Sequence, residues 1–377
     1  MAASEPSPTD LAARLRRDVR RSVLRARHGI KHFAGIDRAP VGQTPKDLVW
    51  SRDKLQLYRY RQDNRQYGPP VLLVMSLVSR SYIFDLRPGS SFVEVLLSKG
   101  LDVYMLDWGV PDELEATNTL ETYCDEYLPL AVEAACRESA SDELTVFGYC
   151  FGGVLSLLYV AGHPERVRNL AVMATPIDNS KSPMGAMTQQ GRLEPEDLLD
   201  DTGNVPAEAI LNSFRLLQPT SDIVGYVNLW QNLWDDAYME SYQTMTQWAK
   251  DQVPFPGGVM RQMILMLTRE NALMNDSVRL GGKPRRLADI KVPFLSVLGE
   301  RDHIAPVETV EPLIGLVGSE DKEAMRLPAG HVGLIVGRNA SLRTMPAMAD
   351  WIVRHSGEPI GDAADTVGAT PGTAGER

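Results

Sequence analysis

Ten residues constrain this chain more than any others: Leu144-Thr145-Val146-Phe147-Gly148-Tyr149-Cys150-Phe151-Gly152-Gly153. An apolar run of strand length meets a glycine, then a residue with a reactive side chain, then a glycine-led apolar run of helical length. The pattern G-x-nucleophile-x-G on a strand-to-helix turn forms an elbow that lifts the nucleophile, here the Cys150 thiol, to the carboxyl edge of a sheet. Glycines flank it because side chains two positions away on either side would collide in so tight a turn. The next backbone N–H, that of Phe151, is placed to donate to an oxyanion. Taken alone, G-x-C-x-G describes a structural buried cysteine more often than a catalytic one. The surrounding chain therefore decides its meaning.

Strands alternate with helices on both sides of the elbow. Val71–Met75, Leu101–Leu106, Leu144–Tyr149 and Leu170–Ala174 read as strands, with helices at Ser91–Lys99, 120–136 and 153–161 between and after them. Each of these strands is apolar on both faces, which predicts a mostly parallel sheet covered by helices on both sides. Asp47–Arg61 adds one or two antiparallel strands. After Thr175-Pro176 the rhythm stops for about a hundred residues of helical periodicity, rich in Met, Trp and Tyr, and resumes at Val292–Gly299. The reading is thus a basic arm and linker over 1–45, a first core segment over 46–176 and a mainly helical cap over 177–285. A second core segment over 286–356 and a disordered tail over 357–377 follow. Most of the cap aromatics, among them Phe214, Tyr226, Trp230, Trp234, Trp248 and Phe255, are expected to form the cap's own core, with some lining an apolar channel.

Charge and cysteine usage exclude several classes. The net charge of −10 argues against nucleic acid as the main partner. Cys124, Cys136 and Cys150 form neither a CxxC nor a cluster with histidine, so no disulfide framework and no metal site is expected, and the sparse count suits a reducing cytoplasm. No apolar run reaches membrane-spanning length. The first 31 residues carry eight Lys/Arg against three Asp/Glu, and Leu11, Leu15, Val19 and Val23 recur every four residues among seven arginines. That is a basic amphipathic helix, with even weight on docking to the body and on attachment to a partner or an anionic hydrophobic surface.

An α/β-hydrolase places its triad in the order nucleophile, acid, histidine. Cys150 follows one strand, Asp302 follows the strand 293–299, and His331 follows a last strand near Ala324–Leu327. Agreement in type, order and strand end makes these three the expected catalytic set on an α/β-hydrolase fold. His303, beside the acid, is a candidate for positioning it, with a structural role equally weighted. Val78, in the loop after the first central strand, is the candidate for a second backbone oxyanion donor. Sulfur narrows the chemistry. A thiol attacking an acyl-thioester exchanges one thioester for another at nearly balanced free energy, whereas serine would form a more stable ester and make onward transfer harder. Acyl transfer from a coenzyme A thioester is favoured over hydrolysis.

Tyr82–Leu86 (YIFDL), Leu106–Pro111 (LDWGVP), Gly148–Gly153 (GYCFGG), Glu270–Leu273 (ENAL), Glu300–His303 (ERDH) and Gly330–Gly333 (GHVG) resemble the catalytic subunit of short-chain polyhydroxyalkanoate synthases, class III-like with class IV open. The resemblance spans about residues 45 to 355. It implies polymerisation of 3-hydroxyacyl-CoA, a growing chain held on Cys150 as a thioester, and His331 activating the thiol. It also implies Asp302 activating the substrate 3-hydroxyl, which sequence does not separate from orienting His331. No cofactor is implied beyond the coenzyme A of the substrate. The implied partners are a second synthase subunit, PhaE-like or PhaR-like, and a cytoplasmic polyester granule, with a dimer or hetero-oligomer as the assembly. One departure is Ser79, where the family commonly has asparagine. The alternatives are a cysteine-dependent thioesterase or lactone hydrolase using the same triad, and a non-catalytic granule-bound paralogue.

Overall fold

In the computed structural model the described residues are 19–20, 22–24, 40–189, 191–217 and 232–360. Eight strands form the main sheet: β1 Lys46–Arg52, β2 Leu55–Tyr60, β3 Val71–Val74, β4 Val103–Asp107, β5 Leu144–Tyr149, β6 Val167–Met173, β7 Phe294–Gly299 and β8 Lys322–Leu327. Their spatial order is β1-β2-β4-β3-β5-β6-β7-β8. Only β2 runs against its neighbours, and the remaining pairings are parallel. The parallel crossovers carry helices α1 Phe92–Ser98, α2 Leu128–Ser139 and α3 Phe151–Gly162.

Burial explains why the central strands read so clearly. All residues of β3, β5 and β7 are buried, because helices cover both faces. One apolar cluster joins α2 and α3 to one face through residues such as Leu128, Val132, Val154 and Leu158. The other joins α1 and a C-terminal helix, Met345–Arg354, through Phe92, Leu96, Met348 and the fully buried Trp351. The edge strand β8 (KEAMRL) mixes charged and apolar residues, unlike the central strands. It is exposed along most of its length because one side of it has no neighbouring strand.

Between β6 and β7 the described residues add no strand to the main sheet. They form helices at Pro183–Gln189, Ala207–Leu217 and Asp236–Lys250, the last labelled α4. Two small antiparallel ribbons also occur there, pairing Phe255–Pro256 with Asn204–Val205 and Arg279–Leu280 with Lys283–Pro284. The sequence gives no sign of these ribbons, whose strands are two residues long. Of the basic arm only Val19, Arg20 and Ser22–Leu24 are described, with Val19 and Val23 exposed. The rest of the arm, Tyr226 and Trp230 of the cap, and the tail beyond residue 360 lie outside the described residues.

Candidate active site

The parallel register brings three strand ends to one edge of the sheet. Tyr149 of β5 stands opposite Met173 of β6, and Gly299 of β7 opposite Leu327 of β8. Cys150, Asp302 and His331 leave from these ends. Cys150 occupies the strained corner, with φ 56° and ψ −125°. Such a conformation costs a non-glycine residue about 1–3 kcal/mol and persists only where its surroundings impose it. Here the imposing contacts are the Cys150 N–H donating to Met173 O at 2.9 Å and the Gly153 N–H donating to Cys150 O at 2.9 Å. A Cβ at Gly148 would come within 2.6 Å of Gly153 Cα and of Ser156 Oγ, so the elbow tolerates only glycine there.

Asp302 and His331 form the rest of the set. The Asp302 side chain is fully buried, and its Oδ1 accepts the N–H groups of Ile304 and Ala305, both at 2.8 Å. Its Oδ2 lies 2.7 Å from His331 Nδ1. The two loops are stitched by the Arg301 N–H donating to Ala329 O at 3.0 Å. Burial alone would lower the His331 pKa. Electrostatic interaction with Cys150 and Asp302 and the hydrogen bond to Asp302 outweigh it and raise the imidazole to about 10. The structure therefore brings Cys150, His331 and Asp302 together as one linked array.

His303 is not part of it. Its neighbour's carboxylate turns inward to cap Ile304 and Ala305, and that turn leaves His303 exposed, with no contact to the Asp302 carboxylate among the described residues.

Phe151 is the first residue of α3, where backbone N–H groups have no acceptor within the helix. The helix start packs tightly on the loop after β3. A Cβ at Gly152 would meet Val74 O at 2.4 Å and the Met75 carbonyl carbon at 2.6 Å. The Trp108 indole N–H donates to Met75 O at 2.8 Å and its ring stacks edge-on against Tyr123 at 5.1 Å. Trp108 of the L-D-W-G stretch thus fixes the loop that carries Val78.

That loop is also clasped by the cap. Val253 N–H donates to Val78 O at 3.1 Å, and the Trp248 indole of α4 donates to Arg80 O at 3.0 Å. Ser79 Oγ bonds Gln252 Oε1 at 2.9 Å, and Tyr82 OH bonds Asp251 Oδ2 at 2.7 Å. Ser79 therefore serves a cap contact. Trp248 is buried among core residues of the sheet domain, a role not visible in the sequence, where it counted among the aromatics of the cap's own core. Phe255 packs edge-on against Phe151 at 5.6 Å. Tyr149 was also missed: its ring centroid is 5.2 Å from that of His331.

The family model described as alpha/beta hydrolase fold matches residues 69–337. The poly(3-hydroxyalkanoate) polymerase subunit PhaC of Haloferax mediterranei is 34% identical over 85% of this chain, which spans 66% of that relative. The PhaC subunit of Allochromatium vinosum is 34% identical over 86% of this chain and 92% of the relative. That of Synechocystis sp. is 32% identical over 86% and 89%. Among solved structures, a hydrolase from Pseudomonas aeruginosa PA01 superposes with a TM-score of 0.51 at 15% identity, covering 84% of this chain and all of that one, a likeness of fold. With the elbow, the strand order and these relatives in agreement, the chain belongs to the α/β-hydrolase fold family and, within it, to the poly(3-hydroxyalkanoate) polymerase PhaC subunits.

Proposed function

We propose that the chain is an acyltransferase that polymerises 3-hydroxyacyl-CoA, of short chain length such as 3-hydroxybutyryl-CoA, into polyester with release of coenzyme A. The observation that carries this reading is a cysteine at the corner of the elbow, beside a buried histidine that is itself hydrogen-bonded to a buried aspartate. The names of its relatives, poly(3-hydroxyalkanoate) polymerase subunits, supply the product.

In the first step His331 takes the thiol proton and the Cys150 sulfur attacks the thioester carbonyl. The tetrahedral oxyanion is stabilised by the Phe151 N–H at the start of α3, with the Val78 N–H as second donor. The carbon–sulfur bond to coenzyme A then breaks, and the imidazolium returns its proton to the departing thiolate. In the next step the 3-hydroxyl of a further unit gives its proton to His331 and its oxygen attacks the Cys150-bound acyl carbon. An ester bond forms, the thioester to Cys150 breaks, and His331 returns the proton to the Cys150 sulfur, which can then take up the lengthened chain from its coenzyme A thioester.

Asp302 acts in this scheme by orienting His331. Oδ1 accepts two backbone N–H groups, Oδ2 faces Nδ1, and the side chain is fully buried, so a substrate hydroxyl meets no exposed carboxylate oxygen. This favours the orienting role over direct activation of the hydroxyl. The match over about nine-tenths of two relatives named as subunits supports a chain that works beside a second, PhaE-like or PhaR-like, subunit at a polyester granule. No helix among the described residues is long and apolar enough to cross a membrane.

The test measures coenzyme A release from 3-hydroxybutyryl-CoA by wild type and Cys150→Ala, with polymer and free acid both quantified, with and without the candidate second subunit. Polymer from wild type alone supports the proposal. Coenzyme A release with only free acid, even with the partner present, replaces it with a cysteine hydrolase. Unchanged activity in Cys150→Ala removes the mechanism.

A further inference from the structure

The elbow pattern requires glycines and a nucleophile but leaves the residue before the nucleophile free. Residues two apart on a strand face the same way, so Phe147 and Tyr149 share one side of β5. Phe84 packs edge-on against both, at 5.8 and 6.1 Å. Tyr149 is 1% exposed, and at such a position phenylalanine would serve the packing equally well. A buried phenol needs a partner for its hydroxyl. Here the hydroxyl donates to the backbone carbonyl of His331 at 3.2 Å, across 182 residues of chain. The same ring lies beside the imidazole, centroids 5.2 Å apart and planes tilted by 32°.

We propose that Tyr149 is a positioning residue that holds His331 in register with Cys150. The Asp302 hydrogen bond fixes His331 at one atom, Nδ1, and does not by itself set the tilt of the ring plane. Tyr149 supplies the missing constraints, a ring beside the imidazole and a tie to the His331 backbone. Because Tyr149 is bonded directly to Cys150, the tie sets the nucleophile-to-base separation across two loops. The inference rests on the reading of Cys150 and His331 as nucleophile and base.

The test compares the full-length chain with Tyr149→Phe, Tyr149→Leu, the packing control Phe147→Leu, and His331→Gln. The readouts are the rate of Cys150 alkylation by iodoacetamide as a function of pH, kcat and KM for coenzyme A release, and the melting temperature. Cys124 and Cys136 are buried, and peptide mass analysis assigns the alkylated site. Loss of one hydrogen bond is worth roughly a two- to tenfold change. Tyr149→Phe is expected to fold and to lose that factor in both alkylation rate at neutral pH and kcat, with KM unchanged. Tyr149→Leu is expected to lose more. Phe147→Leu is expected to lower the melting temperature and leave the alkylation pH profile in place. Wild-type alkylation and kcat in Tyr149→Phe, or an equal shift of profile in Phe147→Leu, would overturn the proposal. Unchanged alkylation in His331→Gln would remove the base beneath it. Formation of free acid in place of polymer would sink only the polymer reading, since the alkylation comparison judges Tyr149 by itself.

Discussion

Asp302 Oδ2 and His331 Nδ1 lie 2.7 Å apart in a site where the carboxylate side chain is fully buried and its other oxygen already accepts two backbone N–H groups. The geometry leaves Asp302 one task, to hold a proton of His331 on Nδ1 so that Nε2 is the atom that exchanges protons with Cys150 and the substrate.

Asp302→Asn tests that task. The amide oxygen would stay on the two N–H donors, and the amide nitrogen would face Nδ1 as a donor. Nδ1 would then have to accept, which moves the ring proton to Nε2 and removes the base. Coenzyme A release should fall by about 10²–10⁴-fold, as for a wrong histidine tautomer in a related triad. The thermal midpoint should fall too, because the Asp302 interaction with His331 is lost, so the rates are compared where both proteins are folded. A fall of less than threefold would return Asp302 to a structural role.

The pH dependence of His331 follows from the direction of its shift. The imidazole titrates at about 10 in the fold against 6.5 for the free side chain. A raised pKa means that the folded state binds the extra proton between these values. The contribution to stability is complete below about pH 6.5 and is lost as the pH rises through about 10. Wild type should therefore lose thermal stability across that window more steeply than His331→Gln. In Cys150→Ala, where the sulfur beside the ring is gone, the His331 NMR titration should move down. An unmoved midpoint would mean that Cys150 does not contact the ring.

Much of this arrangement could be read from the chain. Val71–Val74, Leu144–Tyr149 and Phe294–Gly299 announce themselves because both faces are buried, and each then points to a loop where a reactive residue stands. β8 is weak as a pattern, since an edge strand mixes charge with apolar residues, yet the Gly330-His331 loop after it marks its end. The π-helical turn at Thr122–Tyr127 at the start of α2 leaves no trace in a 3.6-residue periodicity. His303, next to the acid in sequence, stands exposed with no hydrogen bond or ion pair to Asp302 among the described residues. The Tyr149–His331 and Trp248–Arg80 contacts join residues 182 and 168 positions apart, and no local pattern encodes them.

Trp248 links the cap to the loop after β3 through one indole donor. Trp248→Phe keeps most of the buried ring and strips the Arg80 carbonyl of that donor, at a cost of about 1–3 kcal/mol. Hydrogen exchange should quicken in 78–82 and 248–253 together, because Ser79–Gln252, Tyr82–Asp251 and Val78–Val253 share the same seam. Faster exchange confined to 248–253 would show that the loop does not depend on the cap.

Gly152→Ala sets helix propensity against packing. At an open helical position alanine gains up to about 1 kcal/mol over glycine. Gly315, with no atom within 4 Å of an added Cβ, is such a position, and Gly315→Ala should be neutral or stabilising. At Gly152 the methyl group meets backbone, Val74 O at 2.4 Å and the Met75 carbonyl carbon at 2.6 Å. The Met75 carbonyl is held from the other side by the Trp108 indole at 2.8 Å, so it has little room to retreat. The start of α3 must shift instead, at a cost of about 1–3 kcal/mol for overpacking. The Phe151 N–H travels with it. Displacing one oxyanion donor costs about 10²–10³ in kcat. Gly152→Ala should thus lose more activity than its melting temperature implies. A variant that is destabilised yet keeps wild-type kcat would show that the Phe151 N–H is not the oxyanion donor.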